Sequence, residues 1–273
     1  MIFPWWKKKR LRMLWRLEKG GSSSFLVGTA HFSHFHFRRS LTALFENVET
    51  VLFEGPLDEA SMARVAQYGR QGENVPSLYE ALDPEVIGKI RMCHNDRVPR
   101  GSVGPYLELF GTKTPDFFEA NVKGVRPWMA FFAIWSAYLN WNYSLDMEAY
   151  HLAQRLGKKI FFLETIEEQL AALDGVPFEG IVDYVNRFEH WKSYKEQFFS
   201  DYLEGDLERL MSRTTGFPTR CESILGSRDD RFFKKMKAFV ESGATIAFLG
   251  LSHIHAVKKM FFDDGYYITQ EIR

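Results

Sequence analysis

The sequence predicts an α/β fold, with a mostly parallel or mixed central sheet flanked by helices and a helical insertion. Three observations support this class: short apolar runs, helical patterns between them, and one long Pro- and Gly-containing stretch. Short apolar runs are typical of buried parallel strands, and their alternation with helices of roughly 10–15 residues is typical of α/β proteins. We interpret residues 1–273 as a single domain.

Five apolar runs are predicted to be strands, at residues 25–28, 51–53, 159–163, 245–249 and 266–269. Helical patterns are found at residues 38–48, 146–156, 231–241 and 254–262. Residues from about 60 to 145 are too many for a simple crossover, and they predict the helical insertion with irregular loops. Residues 178–212 predict one or two amphipathic helices that pack back on the core.

Composition and charge exclude several classes of protein. The 273 residues include 35 Lys and Arg against 35 Asp and Glu, so the net charge is zero. This balance removes the general electrostatic attraction to nucleic acid, and no nucleic-acid partner is expected. The two cysteines, Cys93 and Cys221, cannot form a disulfide framework, which suits a reducing compartment.

No segment is expected to span a membrane. The most apolar long stretch, residues 128–143, is too short and contains two Asn, so it predicts a buried helix. Trp5 and Trp6 precede four basic residues, a combination that would allow weak N-terminal contact with a membrane surface. Because no apolar signal-peptide region follows this cluster, we expect a cytoplasmic protein.

A histidine or a carboxylate follows each of the first four predicted strands. His31 follows the first and Glu54 the second, whereas Glu164 follows the third and His253 the fourth. Ligands of open α/β sheets bind outside the carboxyl ends of the strands, so these four side chains are predicted to converge. Each histidine stands three residues after a glycine, whose lack of a side chain permits close approach.

Two histidines with one or two carboxylates suit a divalent ion such as Mn, Co, Zn or Fe. Such an ion would turn a bound water into a nucleophile, whereas without it a histidine could act as general base. Arg228, just before a predicted helix, could stabilise an oxyanion. Thr29 is expected to support His31 by hydrogen bonding, and His34 and His36 are expected on a partly solvated loop.

A series of short motifs occurs here in the order known from one protein family. They are Trp15, Gly-Thr-Ala-His at 28–31, Glu54, Leu-Asp at 145–146, Leu-Glu-Thr at 163–165, Tyr202, Gly-Asp-Leu at 205–207, Arg228 and Gly-Leu-Ser-His at 250–253. On these motifs the chain resembles the TraB/PrgY/GumN family, which is related to the Tiki metalloproteases and more distantly to erythromycin esterases and ChaN-like proteins. The sequence departs from the family pattern at Asp229, where Asn is usual, and at Ser144, where Gly is usual.

The resemblance implies an α/β core with a helical insertion and an active site of two G-x-x-H histidines and a glutamate. Several family members are proposed to be divalent-metal-dependent peptidases or inhibitors of peptide signals. The leading hypothesis is therefore a metal-dependent hydrolase, most naturally a peptidase, with His31, Glu54 and His253 as metal ligands. In this hypothesis Glu164 is the general base or a further ligand, and Arg228 stabilises the oxyanion.

Two alternatives remain open at this point. The first is metal-free hydrolysis of an ester or similar bond, with His31 or His253 as the base. The second is a protein that binds a peptide, a metal or haem without turnover. The substrate is expected to be a peptide or another small molecule, and the abundant aromatic residues leave surplus apolar surface for a homodimer.

Overall fold

Six strands form a single mixed sheet in the computed structural model, which describes residues 10–31, 35–95, 118, 121–139 and 143–273. The strands are β1 (Leu14–Lys19), β2 (Ser22–Thr29), β3 (Thr50–Phe53), β4 (Lys159–Phe162), β5 (Thr245–Gly250) and β6 (Tyr267–Gln270). Their spatial order is β4-β3-β5-β2-β1-β6. β4, β3, β5 and β2 run parallel to one another, and β1 is antiparallel to both β2 and β6. The predicted α/β class is confirmed, and each of the five apolar runs forms a strand.

β1 is the strand that the apolar runs do not predict. Its sequence mixes three apolar with three charged residues, and only part of the strand is buried. Gly20 and Gly21, both with positive φ, join β1 to β2 in a two-residue hairpin, with Lys19 paired to Ser22. Two glycines between extended segments are a recognised hairpin signal, so this feature of the sequence could have revealed β1.

Helices cover the sheet and fill the long connections. In the part of the chain that is described they are α1 (Arg38–Phe45), α2 (Glu59–Gly69), α3 (Leu78–Ala81), α4 (Pro84–Asn95), α5 (Pro127–Leu139), α6 (Leu145–Arg155), α7 (Ile166–Asp174), α8 (Phe178–Asn186), α9 (Trp191–Glu204), α10 (Leu207–Arg213), α11 (Gly226–Glu241) and α12 (Leu251–Asp263). Two predicted helices begin earlier than expected: α11 starts at Gly226 rather than at residue 231, and α12 at Leu251 rather than at residue 254. As a result Arg228, expected just before a helix, and His253, expected directly after the fourth strand, lie in first turns of helices.

The described part of the long connection between β3 and β4 is mostly helical, and it contains α2 to α6. The apolar segment predicted to be a buried helix is α5, in which Trp128, Phe131 and Trp135 are buried. Residues 140–142 of that segment lie outside the described residues, as do the N-terminal residues expected to contact a membrane. Within the described residues, no helix has the length and apolar character needed to cross a bilayer.

The 178–212 segment forms α8, a short 3-10 turn at Phe188–His190, α9 and α10, rather than one or two helices. α9 ends at Gly205, whose φ of 79° terminates the helix. Tyr202, near the end of α9, is buried and donates a hydrogen bond to the carbonyl of Gly28 at 3.2 Å. The segment is therefore fixed to the carboxyl end of β2.

Gly28 is the point at which β2 packs against α12 and β1. A side-chain carbon at this position would lie 2.8 Å from Leu251 Cδ2, 3.2 Å from Ile254 Cγ1 and 3.4 Å from Trp15 Cζ3. The first distance is shorter than packed side chains tolerate. Glycine is thus required here for close packing of the helix that carries His253.

We expect Gly28→Val to lower the free energy of unfolding by about 1–3 kcal/mol, because the added side chain overpacks the contact with Leu251. Urea unfolding followed by circular dichroism measures the change. Ser23→Val is the matched control, since Ser23 lies on the same strand but is only partly buried, and it should change stability by no more than about 0.5 kcal/mol. Equal effects of the two substitutions would contradict this account of Gly28.

Candidate functional site

Four predicted site residues come together at the carboxyl edge of the parallel strands. Glu164 follows β4, Glu54 follows β3, His253 lies just beyond β5, and His31 follows β2, so their order matches the order of the strands. The backbone N–H of Glu164 donates to the carbonyl of Glu54 at 2.8 Å, which extends the β3–β4 pairing beyond the strand ends. The sheet itself therefore sets the spacing of the two glutamates.

Gly250, the last residue of β5, provides the space in which His31 and Glu54 converge. A side-chain carbon at Gly250 would lie 3.0 Å from His31 Nε2 and 3.2 Å from Glu54 Oε1. The backbone N–H of Gly250 also donates a short hydrogen bond to Glu54 Oε1. The glycine of the second G-x-x-H motif therefore both orients the glutamate and leaves room for the first histidine.

Each histidine is held by an aspartate at its Nδ1 atom. His31 Nδ1 lies 2.9 Å from Asp146 Oδ2, and His253 Nδ1 lies 2.6 Å from Asp229 Oδ1. Because an ionised carboxylate can only accept hydrogen bonds, each Nδ1 donates to its aspartate, and Nε2 is the ring atom that a metal ion would bind. His253 Nε2 lies 3.7 Å from Glu54 Oε1, so the free nitrogen faces the glutamate.

The two aspartates occupy first turns of helices. Asp146 is in the first turn of α6, where Ser144 caps the helix by accepting a hydrogen bond from the N–H of Met147. The family-typical glycine is thus replaced at position 144 by a residue that stabilises the helix start. Asp229 is in the first turn of α11 and is buried.

Sequence reasoning missed both of these partners. Asp146 appeared only as part of a motif, and Asp229 only as a departure from the Asn that is usual in the family. Thr29, expected to support His31, does not do so: its buried hydroxyl has no hydrogen-bond partner within the described residues. The expectation was wrong because Thr29 ends β2 inside the sheet, whereas His31 turns toward α6. Finding Asp146 requires a contact across 115 positions of the sequence.

Arg228 and Glu164 form a buried, two-pronged ion pair at the floor of the site. Arg228 Nε donates to Glu164 Oε2 at 3.0 Å and Nη2 donates to Oε1 at 2.6 Å. The third nitrogen, Nη1, donates to the carbonyl of Ile224 at 2.8 Å, and Nη2 lies 3.8 Å from Glu54 Oε2. Both Glu164 oxygens are therefore engaged, while the charge of Arg228 also faces Glu54.

The remaining histidines of the first motif lie apart from this group. The His36 side chain is 68% exposed, stacks near Tyr143 with ring centroids 3.9 Å apart and lies 3.9 Å from Glu148. It does not line the cavity that contains His31. His34 falls outside the described residues.

Negative charge exceeds positive charge in this network. Its four carboxylates are Glu54, Asp146, Glu164 and Asp229, and its one guanidinium is that of Arg228. With both histidines neutral, four negative charges and one positive charge leave a balance of −3. Burying unbalanced charge is costly, so the network favours protons on the histidines or a bound cation.

The pKa shifts follow this balance. Burial raises the pKa of Glu54, but His253, His31, Arg228 and the Gly250 N–H outweigh it and lower that pKa overall. Burial lowers the pKa of His31, but Asp146 and Glu54 outweigh it and raise the pKa to about 9. The His31 side chain is 49% exposed, so water screens these charges and makes both effects smaller than full burial would. Burial raises the pKa of Glu164 against the attraction of Arg228.

The donor atoms suit a divalent metal ion, although the side chains do not already form a complete ligand group. Two imidazole nitrogens backed by carboxylates, together with one glutamate oxygen, are a common set of metal ligands. Two ligands of a tetrahedral ion lie roughly 3.3–3.5 Å apart, close to the separation of His253 Nε2 and Glu54 Oε1. Among the residues that the structure describes, however, no three His, Cys, Asp or Glu side chains are grouped closely enough to hold an ion.

A cavity of about 250 Å³ opens above these residues. His31, Glu54, Arg228, Gly250 and His253 form its polar end. The rest of its wall is mostly apolar and aromatic, and includes Val65, Trp128, Phe132, Trp135, Leu139, Leu173, Phe198, Phe199, Leu210, Met211, Phe217 and Ile224. A pocket with an apolar wall and a few converging polar groups is typical of a small-molecule or catalytic site.

Fold and site together define an α/β protein with a histidine–carboxylate centre at the carboxyl edge of its sheet. The model of the TraB/PrgY/gumN family matches residues 13–270, nearly the whole chain, and the protein belongs to this family. In a comparison with curated proteins, the chain has no match.

We expect Asp146→Asn to lower the pKa of His31 in protein freed of metal by a chelator. The substitution removes the main attraction for the imidazolium proton and leaves the burial that opposes it, so the pKa should fall from about 9 toward or below the ordinary value of about 6.5. NMR titration of the histidine rings measures the shift.

Asp206→Asn is the control, because this aspartate caps α10 and bonds to Arg209 on the surface. It should leave the His31 titration unchanged. A His31 pKa that is the same in wild type and Asp146→Asn would show that Asp146 does not set it.

Proposed function

We propose that the protein is a metal-dependent hydrolase that acts on a peptide. The observation that carries the proposal is the excess of buried carboxylates around two histidines whose Nε2 atoms are left free. A divalent cation would balance this charge and use those nitrogens as ligands. Family membership supports the general kind of site, while the metal and the peptide bond are our proposals.

His31, Glu54 and His253 would hold the ion, which could be Mn, Co, Zn or Fe. When bound, such an ion lowers the pKa of a coordinated water and polarises the carbonyl to be attacked. Asp146 and Asp229 bind the Nδ1 atoms and so orient the two imidazoles with Nε2 as the atom that would bind the ion. Small side-chain movements that bring His31 closer to the Glu54–His253 pair would complete the ligand group.

Glu54 also accepts a proton from the attacking water and donates it to the leaving amine in this proposal. Its Oε1 is directed at the histidines, and its Oε2 faces Arg228. A proton leaving the attacking water would pass to Glu54 Oε2 and then to the amine that departs when the peptide C–N bond breaks. The lowered pKa of Glu54 keeps it ionised before each turnover.

For Arg228 we propose electrostatic stabilisation of the oxyanion, and for Glu164 a positioning role. Arg228 lines the cavity, yet Glu164 and the Ile224 carbonyl occupy all three of its nitrogens. It would therefore act mainly through its positive charge, held in place near the reacting carbonyl. Glu164 is engaged at both oxygens, which favours this role over that of base or metal ligand.

Metal-free hydrolysis of an ester or a similar bond is the second candidate. It is favoured by the His31–Asp146 pair, which resembles the oriented histidine of hydrolytic triads, and by the lack of a complete three-ligand group in the described part of the chain. His31 is the more accessible of the two histidines, because 49% of its side chain is exposed whereas His253 is 2% exposed. With its pKa raised to about 9, His31 would act as a base in the alkaline range. This candidate predicts activity that survives exhaustive chelation.

Metal content and peptide hydrolysis test the first candidate against the second. We expect about one divalent ion per chain in gently purified protein, and its loss in the double variant His31→Ala/His253→Ala, which lacks two of the three proposed ligands. Hydrolysis of a peptide library, followed by mass spectrometry, should stop on chelation and return on adding metal. Glu54→Gln should lower kcat by at least about 100-fold.

His255→Ala is the matched control, since His255 lies on α12 with its side chain 55% exposed beside Glu208. It should keep both metal and activity. Activity without metal would support the second candidate instead. Tight peptide or haem binding with no cleavage in any metal would favour the non-catalytic alternative and contradict the hydrolase proposal.

Two substitutions of Asp229 test whether it positions His253. Asp229→Asn keeps an acceptor for Nδ1 and has the side chain usual in the family, so we expect less than a tenfold loss of metal affinity. Asp229→Ala removes the acceptor and should lower metal affinity by about 10- to 100-fold. Competition with a fluorescent chelator measures both, and circular dichroism checks the fold. Equal losses in the two variants would assign the effect to charge rather than to orientation.

A further inference from the structure

Arg220 is a half-buried cation in the cavity wall that the proposed chemistry does not use. It follows α10 in the chain and lines the same cavity as His31 and Glu54. Nη1 makes all of its hydrogen bonds: to the carbonyl of Met211 at 2.8 Å, to Thr214 Oγ1 at 2.8 Å and to Met211 Sδ at 3.5 Å. These contacts cap the last turn of α10 and fix the guanidinium in place.

The other edge of the Arg220 guanidinium, formed by Nε and Nη2, has no hydrogen-bond partner within the described residues. Across the described residues, neither Nε nor Nη2 donates a hydrogen bond to protein, and no carboxylate forms an ion pair with the side chain. Solvent reaches both atoms, since neither is among the buried polar atoms of the described residues that lack a hydrogen-bond partner. An accessible, fixed and unpaired guanidinium edge in a cavity wall is suited to bind an anion.

The same edge of another arginine in this protein, Arg228, binds a carboxylate. Its Nε and Nη2 atoms hold the two oxygens of Glu164 at 3.0 and 2.6 Å. The planar pair of donors matches the geometry of a carboxylate. Arg220 lines the cavity and has the same two atoms unpaired within the described residues, whereas Nε and Nη2 of Arg228 already bind the Glu164 carboxylate.

Aromatic side chains form the wall that Arg220 shares. The rings of Tyr194 and Phe217 stack with centroids 5.9 Å apart, and Phe217 lies edge-on to Trp135 at 5.6 Å. All three residues line the cavity. A ligand bound to Arg220 would therefore place its uncharged part against an aromatic surface, where burial of apolar groups is favourable.

We propose that Arg220 binds the carboxylate of a ligand whose large apolar group packs against Trp135, Tyr194 and Phe217. The substrate class that fits is a peptide ending in a large apolar residue with a free α-carboxylate. As a statement about substrate this rests on the proposed hydrolase function, whereas the carboxylate site itself does not. A free apolar acid has the same chemistry, and the test separates the two sources.

Calorimetric binding of matched ligands tests the proposal without turnover. The probes are N-acetyl-phenylalanine, its amide, and octanoate, each measured with the purified protein before and after chelation, so that binding to a metal is recognised. We expect the acid to bind about 10- to 100-fold more tightly than the amide, as a charged hydrogen-bonded pair predicts. Arg220→Gln should remove this preference and leave amide binding unchanged.

Two further variants keep the result interpretable. Arg187→Gln removes the same charge from an exposed position after α8 and should retain the preference. Arg220→Lys should keep part of the preference for the acid over the amide, because a positive charge remains although the two-pronged geometry is lost. This variant is informative even if Arg220→Gln folds poorly. Octanoate binding as tight as that of N-acetyl-phenylalanine would point to free acids rather than peptide termini. Equal binding of acid and amide by the wild type would overturn the proposal.

Cleavage of peptides with free and amidated C-termini separates the inference from the proposed function. Preferred cleavage of the free form, with KM raised in Arg220→Gln and kcat unchanged, supports both. An Arg220-dependent preference in binding with no cleavage of any peptide would overturn the hydrolase proposal and leave the carboxylate site standing. Equal cleavage of the free and amidated peptides, with no preference for the acid over the amide in binding, would overturn the carboxylate site and leave the hydrolase proposal standing.

Discussion

The excess of negative charge at the carboxyl edge of the sheet governs the rest of the site. Four carboxylates share this region with one guanidinium, and little water reaches most of them. Unbalanced buried charge is costly, so each carboxylate has a specific partner: Asp146 and Asp229 bind imidazoles, Glu164 binds Arg228, and Glu54 accepts the N–H of Gly250. Glu54 faces both histidines, whose charges lower its pKa, so a cation or a proton beside Glu54 is stabilised.

Backbone geometry holds these charges at their short separations. Parallel strands end at the same edge, and the pairing of β3 with β4 continues through the N–H of Glu164. Gly28 and Gly250 leave space where any side chain would displace a neighbour, so α12 can approach β2 and His31 can approach Glu54. The histidines are rigid for a different reason, since each is held by an aspartate in the first turn of a helix.

The cavity is lined by two arginines, Arg228 and Arg220, which differ in how many of their nitrogens bond to other residues. Arg228 bonds through each of its three nitrogens to Glu164 or a backbone carbonyl, so its positive charge is held in a fixed position in the site. Arg220 is anchored through Nη1, and its Nε and Nη2 atoms are unpaired within the described residues. Between them the wall is largely apolar. Such a cavity suits a molecule with a reactive polar bond, an apolar body and an anionic end.

The sequence by itself determined the α/β class, five of the six strands and the convergence of His31, Glu54, Glu164 and His253. These follow from local patterns: apolar runs mark buried strands, and parallel strands bring their carboxyl ends together. Only the tertiary structure decided which side chains pair with these site residues. Asp146 binds His31 from 115 residues away in the chain, Asp229 binds His253, and Glu164 pairs with Arg228. Hydrogen-bond pairing depends on side-chain direction and distance between elements far apart in the chain, which no local pattern of residues specifies.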